Sequence, residues 1–223
     1  MKFIVKTNVT LKQDRIKELA EELEAMLKNG VVVLDNKFEY PPIIIDDGEP
    51  SVSLVMKTRI KKPSAGEHFF YNGIEFVALG EEQGGILAVV AERLEDKMSY
   101  DEDGCNDWRK SSLRKYLNEE FVKNFDKGDL LPFVSDLTSD NGMTDYGTSE
   151  DFIALLSDNL YRKYRKYMPQ YDTWVWTITP WSCLPGHASI ERNVYTSGAL
   201  HNGTAGHASG VAPACIFNPS IFE

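Results

Sequence analysis

The sequence predicts an α+β protein: a small β-α-β unit over residues 1–50, then a domain of short antiparallel strands with two or three helices over 51–223. Three observations carry this. Two turn signals, Asn72-Gly73 and Gly84-Gly85, separate apolar runs of strand length. Two stretches, 107–125 and 158–167, carry helical patterning. The last fifty residues, Trp174 to Glu223, hold only three charged side chains, Glu191, Arg192 and Glu223, in a chain that is 26% charged.

At 223 residues, with 42% hydrophobic residues, the chain has room for one large or two small globular domains. A net charge of −10 argues against a nucleic-acid backbone as the partner, because phosphate recognition needs a basic face. No apolar run reaches the roughly 20 residues of a membrane span, so no membrane insertion is expected. Met1-Lys-Phe-Ile-Val-Lys6 lacks the apolar region of a secretory signal, so synthesis in the cytoplasm is expected, with association with a virion or another signal-less route as the way out. Cys105, Cys183 and Cys215 are odd in number and widely spaced, which reads as buried reduced thiols rather than a disulfide framework.

Along the chain, residues 2–9 alternate as a strand does. Thr10 and Gln13 form a capping box ahead of a helix with Ile16, Leu19, Leu23, Met26 and Leu27 on one face, stopped by Asn29-Gly30. Val31–Leu34 is a short strand, and an acidic, Pro-containing connection from Pro41 to Pro50 marks the boundary. Residues 51–60 read as a strand. His68–Tyr71, Ile74–Leu79 and Ile86–Ala91 form a three-stranded antiparallel meander. Asp107–Phe125 is an amphipathic helix with a stripe of Leu113, Leu117, Phe121 and Phe125. Leu130–Ser135 is an irregular strand and 138–148 a loop. Ser149, followed by Glu150 and Asp151, caps a short helix through Leu156. A basic, Tyr-rich helix runs from Asp158 to Tyr167 and ends before Pro169.

In the C-terminal stretch, Trp174, Trp176 and Pro180-Trp181 place three indoles within eight residues, and in a strand 174 and 176 share a face. Arg192–Tyr195 and Val211–Phe217 read as strands, with glycines permitting the turns between them. Together, Ile74–Leu79, Trp108…Ser112-Leu113-Arg114…Leu117-Asn118…Phe121, Thr148-Ser149…Ile153…Leu155-Leu156-Ser157, Trp176-Thr-Ile-Thr-Pro-Trp181 and Gly210-Val-Ala-Pro-Ala214 resemble a domain family of Gram-positive bacteria and their phages, related to the C-type-lectin-like fold. The resemblance covers about residues 65–223, and Ala212 stands where many members have Arg.

Within that superfamily, the variable proteins of diversity-generating retroelements concentrate their diversity at the C-terminus. Adenine-directed rewriting of an A-A-C codon never yields Lys, Glu, Gln, Met or Trp. Those five types make up 47 of the 223 residues, so a 28-residue window would hold about six at the chain-wide frequency; Ser182–Ser209 holds one, Glu191. Gly-rich loops and half-buried strands also avoid long charged residues, which is the competing explanation.

The resemblance implies a variable region at 182–209 that displays Ser182, Leu184, His187, Ser189, Ile190, Asn193, His201, Asn202, Thr204, His207 and Ser209 on a framework of Trp174, Trp176, Trp181, Arg192, Tyr195, Val211, Pro213 and Phe217. Such a surface binds a macromolecular target, a cell-surface protein or glycan, by shape and hydrogen bonding. The small first unit would serve attachment or homo-oligomerisation, a trimer by analogy with phage receptor-binding proteins.

Three other chemistries compete with this reading. His187, His201 and His207 are three of the four histidines, but spacings of 14 and 6 match no ligand pattern, so neither a metal site nor a cofactor is expected. Cys183 and Cys215 could imitate the paired thiols of cysteine-oxidising, formylglycine-generating relatives of the fold, yet both sit in packing contexts. Calcium-dependent sugar binding would use Glu-Pro-Asn and Trp-Asn-Asp motifs. The chain has neither, and Asp101–Gly104 reads as a solvated loop. The expectation is therefore a non-enzymatic receptor-recognition protein; a structural phage component without ligand is the bland alternative.

Overall fold

The structure is a computed structural model. It describes residues 60–222 and, before them, the backbone of 2–4 and 43–45. The chain divides into two compact units, Met1–Arg59 and Ile60–Glu223. In the first unit, β1 (Lys2–Ile4) pairs antiparallel with β2 (Ile43–Ile45), a strand inside what the sequence reads as connection. The helix over 10–30 and the strands at 31–34 and 51–59 fall outside the described residues.

The second unit is mixed α+β with antiparallel strand pairing and two α-helices. The meander forms as expected from β3 (His68–Tyr71), β4 (Ile74–Glu82) and β5 (Gly85–Val90). Its first turn has positive φ at both Asn72 and Gly73, the twist that a two-residue hairpin needs. The second turn is shifted one residue from the expected place. Gln83 and Gly84 take the positive φ, and Gly85 enters the strand, where a Cβ would lie 2.5 Å from the Phe217 carbonyl.

β15 (Ala214–Phe217) closes on β5, so the apolar C-terminal clamp becomes a central strand. Its other edge is shared by β10 (Ile153–Ala154) and β7 (Leu130–Leu131). Pro132 separates β7 from β8 (Phe133–Asp136), which pairs with β9 (Thr148–Asp151). Proline has no N–H for the ladder, which accounts for the break. Phe69, Phe76, Phe217 and Phe222 pack ring against ring at 5.1–6.2 Å over this sheet.

Two helical expectations are corrected. The helix over 107–125 is interrupted: a 3-10 turn (Trp108–Lys110), α1 (Ser112–Glu119) and a second 3-10 turn (Phe121–Asn124). Asp107 and Ser111 each cap their own piece, accepting from Arg109 N and Arg114 N, so Ser111 is extended and restarts the helix. The expected helix from Ser149 is instead β9 and β10. Asp151 is buried and accepts from Trp108 Nε1 at 2.9 Å and Arg114 Nε at 2.8 Å, and the Ser149 hydroxyl donates to it at 2.7 Å rather than capping. The Asn118 amide fixes the following bend, accepting from Phe152 N and Ile153 N and donating to Ile153 O.

α2 (Asp158–Tyr164), capped by Ser157, continues as a 3-10 turn through Tyr167. The C-terminal stretch supplies a three-stranded sheet of β11 (Val175–Pro180), β12 (Ile190–Val194) and β13 (Leu200–Thr204). β14 (Ala208–Ser209) pairs with β6 (Met98–Ser99). Ile60 bridges Phe222 in parallel, tying the two ends of this unit together. No helix among the described residues is long and apolar enough to cross a membrane.

Candidate functional site: the β11–β13 sheet and its loops

The candidate surface is built on β12 and β13, whose register sets which side chains can appear together. Ile190 faces Thr204 and Arg192 faces Asn202; one step over, Glu191 faces Gly203 and Asn193 faces His201. Side chains alternate across a strand, so Ile190, Asn202 and Thr204 lie on one face and Asn193 and His201 on the other.

The loop between β11 and β12 is held from below by Asn106. This fully buried amide donates to Ser182 O at 3.0 Å and Ile190 O at 2.7 Å, and its own backbone N–H donates to Ala188 O at 2.7 Å. The Tyr146 hydroxyl donates to Asn106 Oδ1, and burial pushes that hydroxyl up to about 12. Beside Asn106, burial raises the Asp107 carboxyl, but the hydrogen-bonded guanidinium of Arg109 outweighs it and leaves the group below its ordinary value. On the upper side, Ala205 N donates to Ser189 O, coupling the loop 184–189 to the turn after β13.

Of the residues expected to be displayed, Leu184, His187, Ser189, His201, Thr204 and His207 are exposed, and Ile190 and Asn202 are half-buried. Leu184, His187 and Ser189 share the loop that Ala205 joins to the turn bearing Thr204 and His207; Ile190 lies opposite Thr204. Three positions are corrected: Ser182, Asn193 and Ser209 are 2%, 1% and 6% exposed and cannot be displayed. Ser182 Oγ accepts from Asn141 Nδ2 and Leu184 N, and Ser209 Oγ donates to Trp174 O, so both serve the frame. Asn193 points inward from the middle of β12.

Of the expected framework, Trp176, Val211, Pro213 and Phe217 are buried. Trp181 is half-buried and meets the His187 ring edge-on at 5.2 Å. Trp174 is the correction here. At 45% exposed it stacks on Tyr195 at 4.4 Å, and Tyr195 stacks on His201 at 4.5 Å, giving a ladder of three rings across the sheet. Trp174 precedes β11, beyond the cover that buries Trp176, so the two indoles share a face but not an environment.

Arg192 is held by charge. Its Nε donates to Asp158 Oδ2 at 3.0 Å, and NH1 lies 3.7 Å from Asp140. Burial pushes the Asp158 carboxyl above its usual range, and the Arg192 guanidinium pulls it back only in part. Glu191, one residue earlier, is fully buried with neither carboxylate oxygen hydrogen-bonded, and burial pushes it well above the ordinary value.

Cys215 is buried in β15 while Cys183 lies half-buried beside the Ser182 turn; burial raises both thiols. No group of three or more His, Cys, Asp or Glu among the described residues is placed to hold a metal ion. A cleft of about 200 Å³ opens between the end of α2 and Val194–Gly198; of the candidate and framework residues, only Tyr195 lines it. Sequence reasoning missed Asn106 and Tyr146, since a single Asn and a single Tyr far from the window carry no local signal. No family model, no curated protein and no solved structure matches the chain.

Proposed function

We propose that this chain is a ligand-binding protein with a C-type-lectin-like second unit, presenting a replaceable surface as the variable proteins of diversity-generating retroelements do. The observation that supports it is the sorting of side chains within 182–209: exposed Leu184, His187, Ser189, Thr204 and His207 gather on one coupled loop and turn, while the sole Glu of that window is fully buried. A residue that a core position requires is one that diversification must leave alone. The α+β architecture and the single bridge between Ile60 and Phe222 lend this fold reading support. Binding is by a shallow surface on a rigid frame, without catalysis, and the target is a protein or glycan on a cell surface, met by a phage- or prophage-encoded particle.

Sequencing the gene's neighbourhood tests this reading. A reverse transcriptase beside a near-copy of the 174–223 coding region, differing only at adenines, is the expected result. A locus with neither removes the diversification claim. Substitutions at Leu184, His187 and His207 should then change target affinity without lowering the melting temperature.

A further inference from the structure

The cleft of about 200 Å³ between the end of α2 and the turn after β12 has no part in the candidate surface. Met168, Pro169 and the buried Val175 and Val194 give it an apolar lining. The exposed Arg165 lines the same cleft. In a chain with a net charge of −10, Arg93, Arg109, Arg114, Arg162 and Arg192 each lie against a carboxylate. Arg165, the remaining arginine among the described residues, forms no ion pair with any of them. Its side chain is nevertheless fixed. Nη1 donates to Tyr161 Oη at 2.9 Å and to Gly198 O, and the guanidinium lies 5.5 Å from the centre of the Tyr161 ring. The Tyr161 hydroxyl in turn donates to Gly198 O at 2.8 Å. Gly198 has a φ of +77°, and a Cβ there would lie 2.9 Å from Arg165 Nη2 and 3.0 Å from Tyr161 Oη, so the arginine can sit where it does only beside a glycine. With Nη1 occupied, Nε and Nη2 make no hydrogen bond among the described residues. Those two groups form one side of the planar fork, the side that a carboxylate fills with two parallel bonds.

We propose that this cleft binds a small monocarboxylate with an apolar body, its carboxylate on Nε and Nη2 of Arg165 and its body against Met168, Val175 and Val194. A volume of about 200 Å³ falls short of the roughly 300–1,000 Å³ of sites for drug-sized ligands, so the guest is small. One guanidinium balances one carboxylate, and a guanidinium already held by Tyr161 and Gly198 loses little freedom when the guest arrives. Leu184, His187 and His207 do not line the cleft, so the site stands or falls separately from the proposed target surface.

The test titrates the isotope-labelled full chain with phenylacetate and with its uncharged counterpart phenylacetamide, at matched ionic strength. Phenylacetate should shift the amide resonances of Thr196, Ser197 and Gly198 saturably and bind about tenfold tighter than the amide. Acetate, which lacks the apolar body, should bind more weakly than phenylacetate. Arg165→Gln should remove the preference for the carboxylate, and Arg165→Lys, which keeps the charge but not the fork, should restore it only in part. Equal affinity for phenylacetate and phenylacetamide, or no saturable shift at residues 196–198, would overturn the proposal. Tighter binding of N-acetylneuraminate, a hydroxylated sugar acid, would overturn the apolar body. Should Arg165→Gln not fold, the comparison of ligands on the unaltered protein still decides.

Discussion

Adjacent residues on β12 handle buried charge in opposite ways. Arg192 is matched by Asp158, itself nearly buried and also receiving the Thr177 hydroxyl. Removing one partner of such a pair leaves the other charge buried alone. Arg192→Met should therefore lower unfolding stability by about 3–5 kcal/mol in a urea titration. Glu191, the exception in a window otherwise free of Lys, Gln, Met and Trp, is fully buried and forms no ion pair among the described residues. Sequence arithmetic isolated Glu191 as the exception. Depth is what it could not supply, because burial depends on which strands flank β12. The same blindness put Ser182, Asn193 and Ser209 among displayed residues: small polar side chains look alike on a surface and in a buried frame.

At the scale of elements, the hairpins were legible because their turns demand particular residues, and Asn72-Gly73 fulfils that demand locally. The strand at 148–151 was not, because Ser-Glu-Asp is a good helix start in isolation; a buried Asp151 bound to Trp108 and Arg114 overrides it from 37 and 43 residues away. The loop 101–111 is likewise organised by carboxylates. Asp107 has a folded-state value below its unfolded one, so its contribution is present at neutral pH and is lost as the pH falls through and below about 4. The melting temperature should drop across that acid range, and Asp107→Asn should be less stable at neutral pH with a shallower acid dependence, as read by thermal unfolding between pH 3 and 7.

For the whole molecule, the α+β class followed from periodicity and turn chemistry, whereas the sheet order did not. That Ala214–Phe217 is a central strand between β5 and β10 is a long-range fact, invisible in any local window. The second unit has its own aromatic core and joins its two ends through Ile60 and Phe222. A fragment of residues 60–223 should therefore fold alone and unfold in one cooperative step with coincident far- and near-ultraviolet signals. A fragment lacking dispersed amide resonances would refute that independence.

The ladder of Trp174, Tyr195 and His201 makes the protein its own optical probe. Of the four tryptophans, Trp108 and Trp176 are buried and Trp181 is half-covered, so red-edge emission comes chiefly from Trp174. Acrylamide should quench that component first, and Trp174→Phe should remove it while leaving the blue emission in place. A target that seats on the rings would dim or shift one indole's light, so occupancy of this edge could be followed without a label.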